Sequence, residues 1–317
     1  MNKFISCDWG TSSLRLRLVE TETQNVLAEV ISNQGIAAIY ALWKNNLSDR
    51  FEFYRSILSE GIKTISAQCG YNLNHITLVI SGMASSGIGM IELEYKTLPV
   101  NTNGSDLLVH TIEPVNDFKH RMIIVSGIKS SGDVMRGEET IIVGCEIKNT
   151  DNKQLFILPG THSKHIIVKN GMITDFKTFM TGELFNLLST KSILSGSVER
   201  VNPTAKGINS FFETGVKEGA YNNLLNSIFT VRTNVLFNKL SQNENYYYLS
   251  GLLIGTELKD ISHNHYSNLT IVSNEKLLRL YSRALHILKI NKGIHCITAD
   301  KALIKAQSVI YNLWLLQ

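Results

Sequence analysis

The sequence predicts an α/β fold in two halves, and three observations carry that expectation. Short apolar strands alternate with helical patterns along the chain. A strand, a Gly-Thr-x-Ser loop and a second strand occur twice, around Gly10-Thr11-Ser12-Ser13 and Gly160-Thr161-His162-Ser163. Between them Glu138 to Ile147 reads as a helix, and Ile141, Ile142, Val143 and Cys145 leave it little solvent face. A boundary is therefore expected near residue 148, with halves 1–148 and 149–317.

The elements follow in order. Phe4 and Ile5 run into Asp8-Trp9-Gly10, and Leu14, Leu16 and Leu18 then alternate with Arg15 and Arg17. Residues 3–32 read as a three-stranded meander whose third strand is Val26 to Ile31. Phe51 to Ala67 is a predicted helix, with Phe53, Ile57, Ile62 and Ile65 near helical spacing. Ile76 to Ile80 is a short buried strand leading into the loop 81–89. Residues 99–118 look irregular, and Arg121 to Val125 is another buried strand. In the second half, Leu155 to Leu158 and Ile166 to Val168 flank the second loop, and Asn170-Gly171 makes a tight turn. Thr181 to Thr190 opens a helix, with Thr181 as its expected N-cap and Glu183 in its first turn. Helical patterns continue through Phe211 to Leu240. Tyr246 to Leu249 and Thr270 to Val272 read as strands, and Glu275 to Leu288 and Asp300 to Leu316 as helices.

Bulk composition removes several classes of function. The 317 residues are 44% hydrophobic and 18% charged, as in a folded chain with a large core. The net charge of +4 comes from 31 basic and 27 acidic residues with no basic run, so nucleic acid is not an expected partner. No stretch reaches the roughly 18 apolar residues of a membrane span. Cys7, Cys69, Cys145 and Cys296 lack metal-ligand spacing. Cys7, Cys145 and Cys296 lie among apolar residues and are expected as buried free thiols, which suits a reducing cytosol. Met1 to Asp8 lacks the apolar core of a signal peptide, so a cytoplasmic location is expected.

The two Gly-Thr loops are candidate phosphate cradles, because backbone N–H groups in such a turn can hold an anion. Their residues are Gly10, Thr11 and Ser12 in one, and Gly160, Thr161, Ser163 and Lys164 in the other. A plain hairpin turn is the alternative for each alone; the pair is the stronger signal. Asp8, just before the first loop, can hold a water of hydrated Mg²⁺. His162, a lone histidine beside a strand, reads as structural. Asp133 follows Ser130-Ser131-Gly132 on a loop after a buried strand, where a general base and a helix N-cap are both open. Arg136, Glu138 and Glu139 suit substrate binding or a solvated first helical turn, and Ser85 and Ser86 a pocket lining or a simple turn. Gly82, Gly87 and Gly89 faintly suggest a dinucleotide fingerprint, but at the wrong spacing, and the Tyr40/Lys44 pair precedes the loop. No Gly-x4-Gly-Lys occurs, which excludes a P-loop.

Six stretches together resemble the 2-dehydro-3-deoxygalactonokinase family, within the actin-like, sugar-kinase and Hsp70 ATPase superfamily. They are Asp8 to Arg15, Gly82 to Ser86, Asp133 to Thr140, Leu158 to Lys164, Phe179 to Phe185 and Leu249 to Gly255, in the family's order and over most of the chain. The resemblance implies a two-lobed actin-like ATPase (ribonuclease H-like) fold with an interlobe cleft, closing on ATP, Mg²⁺ and a sugar acid. It implies phosphorylation of the C6 hydroxyl of 2-dehydro-3-deoxy-D-galactonate, with Asp133 as base and Asp8 orienting Mg²⁺. It also implies phosphates on the two loops and adenosine against Ser250, Gly251 and Gly255. Arg136 would meet the substrate carboxylate, and Ser85, Ser86, Glu138 and Glu139 would line the sugar site. The family's Asp-Gly-Glu near the C-terminus is replaced by Ala299-Asp300-Lys301, which leaves contacts from that loop open. The partners expected are small molecules, with a homodimer as one candidate assembly. A related 2-keto-3-deoxy sugar acid as substrate, or a non-catalytic sensor on the same fold, are the competing readings.

Overall fold

The computed structural model describes residues 2–46, 48–115, 117–200, 208–263, 266–290 and 293–315. The chain forms two compact units. One comprises Met1–Asn149, Asn170–Asp175 and Ala299–Gln317; the other comprises Thr150–Lys169 and Phe176–Thr298.

In the first unit, β1 (Lys3–Trp9) and β2 (Leu14–Glu20) form an antiparallel hairpin that sets Asp8 opposite Arg15 and Ser6 opposite Arg17. β3 (Val26–Ser32) extends it antiparallel to β2. Then come α1 (Ile36–Trp43), which the sequence pattern had not signalled, and α2 (Arg50–Cys69). Asp49 caps α2 by accepting the Glu52 N–H at 3.1 Å. Its buried stripe of Tyr54, Leu58, Ile62 and Ile65 packs on Leu14, Leu16 and Leu18 in one core. β4 (Thr77–Gly82) runs parallel to β1 and is buried along its whole length, as a central parallel strand must be. Residues 99–118 are not wholly irregular. After β5 (Lys96–Thr97) they supply β6 (Val100–Asn101) and β7 (Val109–Ile112), before β8 (Met122–Val125) joins β4 in parallel. β9 (Ile128–Lys129) and β10 (Val134–Met135) form a small hairpin, and α3 (Glu138–Val143) follows, ending four residues earlier than expected.

In the second unit, β11 (Gln154–Leu158) pairs antiparallel with β12 (Ser163–Lys169). β13 (Met172–Phe179) follows the Asn170-Gly171 turn, where both residues have positive φ (51° and 68°). Its first residues, Met172 and Ile173, belong to the first unit and pair with β6. Helices α4 (Thr181–Thr190), α5 (Ile208–Tyr221), α6 (Leu224–Leu236) and α7 (Gln242–Leu258) lead to β14 (Asn268–Ser273), parallel to β11. After α8 (Glu275–Ile287), β15 (Ile294–Thr298) pairs parallel to β14. The final helix α9 (Ala299–Trp314) belongs to the first unit, where Tyr311 stacks on Phe4 at 5.3 Å. The expectation that 149–317 forms one half is therefore corrected: the chain returns to its first unit at residue 299.

The strand orders β3-β2-β1-β4-β8 and β13-β12-β11-β14-β15 are the same pattern used twice. Three consecutive strands lie side by side, and two later strands add in parallel on the far side of the first. This doubled ribonuclease H-like sheet is the actin-like fold. No helix among the described residues is long and apolar enough to cross a membrane. Cys7 and Cys145 are buried as expected, Cys69 is half-buried, and Cys296 is exposed at the end strand of its sheet.

Tyr246 to Leu249 is helix rather than strand. The three consecutive tyrosines favour a strand by propensity, but Ser241 and Glu244 form a complete capping box that starts α7. Gly251 and Gly255 lie one turn apart in α7, and they face α5. A Cβ on Gly251 would stand 2.2 Å from the Phe212 carbonyl oxygen, and one on Gly255 2.2 Å from that of Val216. Gly215 and Gly219 of α5 do the same towards α7. Gly251→Val should therefore push the helices apart and destabilise the protein by about 1–3 kcal/mol. Chemical denaturation of the variant checks this.

Candidate active site

Both units treat their Gly-Thr loop in the same way. In the first, Gly10 N–H closes the turn on the Ser13 carbonyl at 2.9 Å. The N-terminus of α1 then takes the loop's carbonyls: Ile36 N–H donates to Gly10 O at 3.0 Å and Ala37 N–H to Thr11 O at 3.1 Å. That contact needs glycine before the helix, because a Cβ on Gly35 would lie 2.3 Å from the Ser12 carbonyl carbon. In the second unit, α4 does this work. Glu183 N–H donates to Thr161 O at 3.0 Å, and a Cβ on Gly182 would lie 2.4 Å from Gly160 O. With carbonyls turned back onto a helix N-terminus, Thr11, Ser12, Gly160 and Thr161 stay exposed on the outer side of their loops.

Two residues of the second loop point the other way. Ser163 is fully buried; its hydroxyl accepts the Gly160 N–H at 3.4 Å and lies 3.1 Å from the Tyr281 hydroxyl. Lys164 is buried at 4% exposure, and its ammonium donates to the His162 carbonyl at 3.3 Å. In this structure both side chains are turned into the body of the unit beneath the loop. His162 is exposed and paired with Glu183. Thr181 is not an N-cap, since Met180 holds that position, and its hydroxyl goes instead to Glu257.

Beside this loop lies a cavity of ≈ 270 Å³ wholly within the second unit. Gly160 forms one wall, and Phe185, Tyr246, Tyr247, Ser250 and Lys276 form others. Phe185 and Tyr246 meet edge to face at 5.0 Å, and Lys276 stands 5.9 Å above the Tyr246 ring. Burial, with repulsion from Arg200, lowers the Lys276 pKa. Ser250 lines the cavity, whereas Gly251 and Gly255 face α5, which fills the space beside them.

The remaining site residues belong to the first unit. Asp8 sits near the end of β1, with Arg15 Nη1 at 3.3 Å. Burial pushes its carboxyl pKa up; Arg15 and then Arg17 pull it down, and Asp300 and Glu138 push it up again. Asp300 is placed by the first turn of α9, 3.0 Å from Arg17 Nη2 and 3.7 Å from Arg15 Nη1. Asp133 ends the turn between β9 and β10. Its carboxylate accepts the Val134 N–H at 2.7 Å, and it is half-buried. It does not cap α3, whose N-cap is Gly137.

Arg136 lies over the Tyr95 ring at 4.1 Å and donates to Ser85 Oγ at 2.7 Å and to the Leu93 carbonyl at 3.2 Å. Ser85 is fully buried and passes its own proton to the Val125 carbonyl at 2.8 Å; Ser86 is buried and bonded to Met83 O at 2.7 Å. In this structure Ser85 supports Arg136 and Ser86 supports its own turn. Glu138 is half-buried and accepts the Arg136 N–H at 3.1 Å. Glu139 is fully buried, accepting from Gly137 N–H at 2.7 Å and Thr140 Oγ1 at 2.9 Å. Burial, reinforced by Glu138, pushes its pKa up to about 7.

A carboxyl held above its unfolded value stabilises the fold only while it stays protonated. Stability should therefore fall as pH rises from the unfolded value towards and through 7. Glu139→Gln, which keeps the shape without the charge, should flatten that slope between pH 5 and 8 (chosen to bracket about 7). Thermal melts of both proteins across the range check it.

Sequence reasoning missed Gly35, Gly182, Phe185, Tyr246, Lys276 and the buried group around Glu257. The Ser241-x-x-Glu244 box was the available signal, since it fixes α7 as a helix and brings Tyr246, Ser250 and Glu257 into one element.

The comparisons agree with this geometry. The family model described as 2-keto-3-deoxy-galactonokinase matches residues 8–308. A Rhizobium meliloti (strain 1021) protein named a probable 2-dehydro-3-deoxygalactonokinase is 29% identical over 307 residues, covering 94% of this chain and 93% of its own. The 2-dehydro-3-deoxygalactonokinase of Escherichia coli (strain K12) is 26% identical over 294 residues, covering 90% of each. A crystal structure of a Sinorhizobium meliloti protein, described as a candidate 2-dehydro-3-deoxygalactonokinase, superposes with a TM-score of 0.81 at 27% identity, covering 99% of this chain and 98% of that one. The chain belongs to the 2-keto-3-deoxy-galactonokinase family and is a kinase, a phosphotransferase acting on an alcohol group.

Proposed function

We propose that this kinase transfers the γ-phosphoryl group of ATP to the C6 hydroxyl of 2-dehydro-3-deoxy-D-galactonate. The product, 2-dehydro-3-deoxy-6-phosphogalactonate, would enter galactonate catabolism in the cytoplasm. The observation that carries the nucleotide part is the cavity walled by Phe185, Tyr246 and Ser250, which ends at Gly160 of an exposed-backbone loop. An apolar, aromatic slot beside an exposed glycine-threonine loop suits a purine joined to phosphates. Thr161 and Gly160 would take phosphate oxygens in the second unit, and Gly10, Thr11 and Ser12 are the matching groups of the first.

Asp133 would accept the C6 hydroxyl proton as the oxygen attacks phosphorus. It is half-buried, at the end of the turn between β9 and β10. Arg136 would face the keto-acid carboxylate, with Tyr95, Ser85 and Leu93 holding its guanidinium plane in place. Glu138 would contact a sugar hydroxyl.

Mg²⁺ fits at Asp8. Its carboxylate is a hard oxygen donor whose acidic neighbours, Asp300 and Glu138, already disfavour its charge, and a cation would relieve that repulsion. No group of three or more His, Cys, Asp or Glu side chains among the described residues is placed to hold a metal. Mg²⁺ in such sites is typically held by one or two carboxylates together with substrate phosphates, so Asp8 alone suffices on the protein side. When bound, the ion would neutralise charge on the phosphates.

A coupled ADP-release assay with a panel of 2-keto-3-deoxy sugar acids and plain hexoses tests the reading. Turnover is expected to be fastest on the galactonate-derived acid; faster turnover on its epimer would change the substrate and keep the kinase. Asp133→Asn should lower kcat by roughly 10²–10⁴-fold while ATP binding persists. Near-normal turnover in that variant would remove Asp133 from the role.

A further inference from the structure

Beneath the second phosphate loop, one buried carboxylate gathers donors from three other elements. Glu257, on α7, is 4% exposed. Its Oε2 accepts from the Tyr281 hydroxyl of α8 at 2.6 Å and from the Thr181 hydroxyl at the start of α4. Its Oε1 lies 3.0 Å from Nε2 of His165 on β12, itself 8% exposed. Tyr281 then reaches Ser163 Oγ at 3.1 Å, and Ser163 holds the Gly160 N–H. An unbroken hydrogen-bonded path thus runs from Glu257 to the backbone of the loop.

Simple core packing does not call for such a group. Burying a carboxylate among apolar side chains is costly unless every lone pair it offers is used, and a hydrophobic residue of equal volume is often as stable. What the carboxylate adds is direction. Charge-assisted hydrogen bonds are short and oriented, and three of them fix where α4, α8 and β12 stand around one point. Thr181, Tyr281 and Gly160 also wall the cavity, so the path joins the cavity to the loop.

We propose that Glu257 is a positioning residue for the phosphate loop. Through Tyr281 and Ser163 it fixes the Gly160–Ser163 backbone, and through Thr181 it fixes the α4 start that clamps this backbone from the other side. It raises affinity for the phosphates of a nucleotide without touching them. This rests on the reading that the cavity and loop take adenine nucleotide.

The experiment compares the wild-type chain with Tyr281→Phe and Glu257→Gln. ADP with Mg²⁺ and plain adenosine are titrated calorimetrically into each, and thermal melts are recorded alongside. Adenosine reports the cavity alone; ADP reports the cavity and the loop. The expected result is an ADP affinity lowered about 5–10-fold in Tyr281→Phe, the scale of one lost hydrogen bond. Because Tyr281 also walls the cavity, adenosine affinity should fall as well, but by clearly less than ADP affinity, with KM for ATP raised more than kcat is lowered. Glu257→Gln should show the larger ADP loss, because an amide cannot accept from all three donors. Should that variant fail to fold, Tyr281→Phe carries the test, since it keeps the ring and removes only the hydroxyl. Equal loss of ADP and adenosine binding, or unchanged ADP binding in a folded Tyr281→Phe, would overturn the proposal. Wild-type protein that binds neither ligand would instead overturn the nucleotide reading itself.

Discussion

The close approach of a helix N-terminus to the back of a glycine-threonine loop is the constraint that recurs in each unit. A phosphate-binding turn must show its amides outward, and its carbonyls then need partners on the other side. Here the partners are helix N–H groups that have none within their own helix: those of Ile36 and Ala37 in one unit and of Glu183 in the other. Each need satisfies the other. The arrangement works only if two backbones can come within contact distance, which is why Gly35 and Gly182 precede the donors. The recurrence of this contact on two sheets of identical strand order shows that it belongs to the fold unit and not to one loop.

From that constraint the division of labour within the second unit follows. α4 clamps the loop from one side, while Ser163, Tyr281 and Glu257 hold it from below, leaving Gly160 and Thr161 little freedom. A loop ordered before its ligand arrives spends less of the binding energy on ordering itself. The same economy appears at Arg136. Its long side chain is laid over Tyr95 and bonded to Ser85, so the guanidinium plane is held by the fold itself. Ser85, Ser86, Ser163 and Glu139 are all buried in this structure, and each is hydrogen-bonded to a neighbouring loop or helix-start group.

Much of the fold was legible because its signals are local. Alternation in Leu14 to Leu18, the apolar run Leu155 to Leu158 and the Asn170-Gly171 turn report on neighbours in sequence, and the strands formed there. What remained hidden depends on distance along the chain. The hydrogen bond between Glu257 and His165 joins positions 92 residues apart, and no periodicity announces it. Gly251 and Gly255 were visible as glycines, but their purpose depends on Gly215 and Gly219, on a helix with which nothing in the sequence pairs them. The three tyrosines 246–248 gave a strand signal that the capping box of Ser241 and Glu244 overrode. Motif residues were therefore found more readily than their roles, since a short motif cannot say which of its side chains point inward.

The departure at Ala299-Asp300-Lys301 is resolved by charge. Asp300 stands where it can pair with both Arg17 and Arg15, and Arg15 is the same residue that reaches Asp8. Arg15 is thus shared between two carboxylates, at 3.3 Å and 3.7 Å, on a side chain that is 39% exposed. An exposed pair of that kind is weak, because solvent screens it and the long side chain resists being fixed. Burial meanwhile raises the Asp8 pKa against the pull of Arg15. Arg15 and then Arg17 draw it down, while Asp300 and Glu138 add to the rise. The altered C-terminal motif thus keeps an acid in the same group of charges as Asp8, where it competes with Asp8 for Arg15.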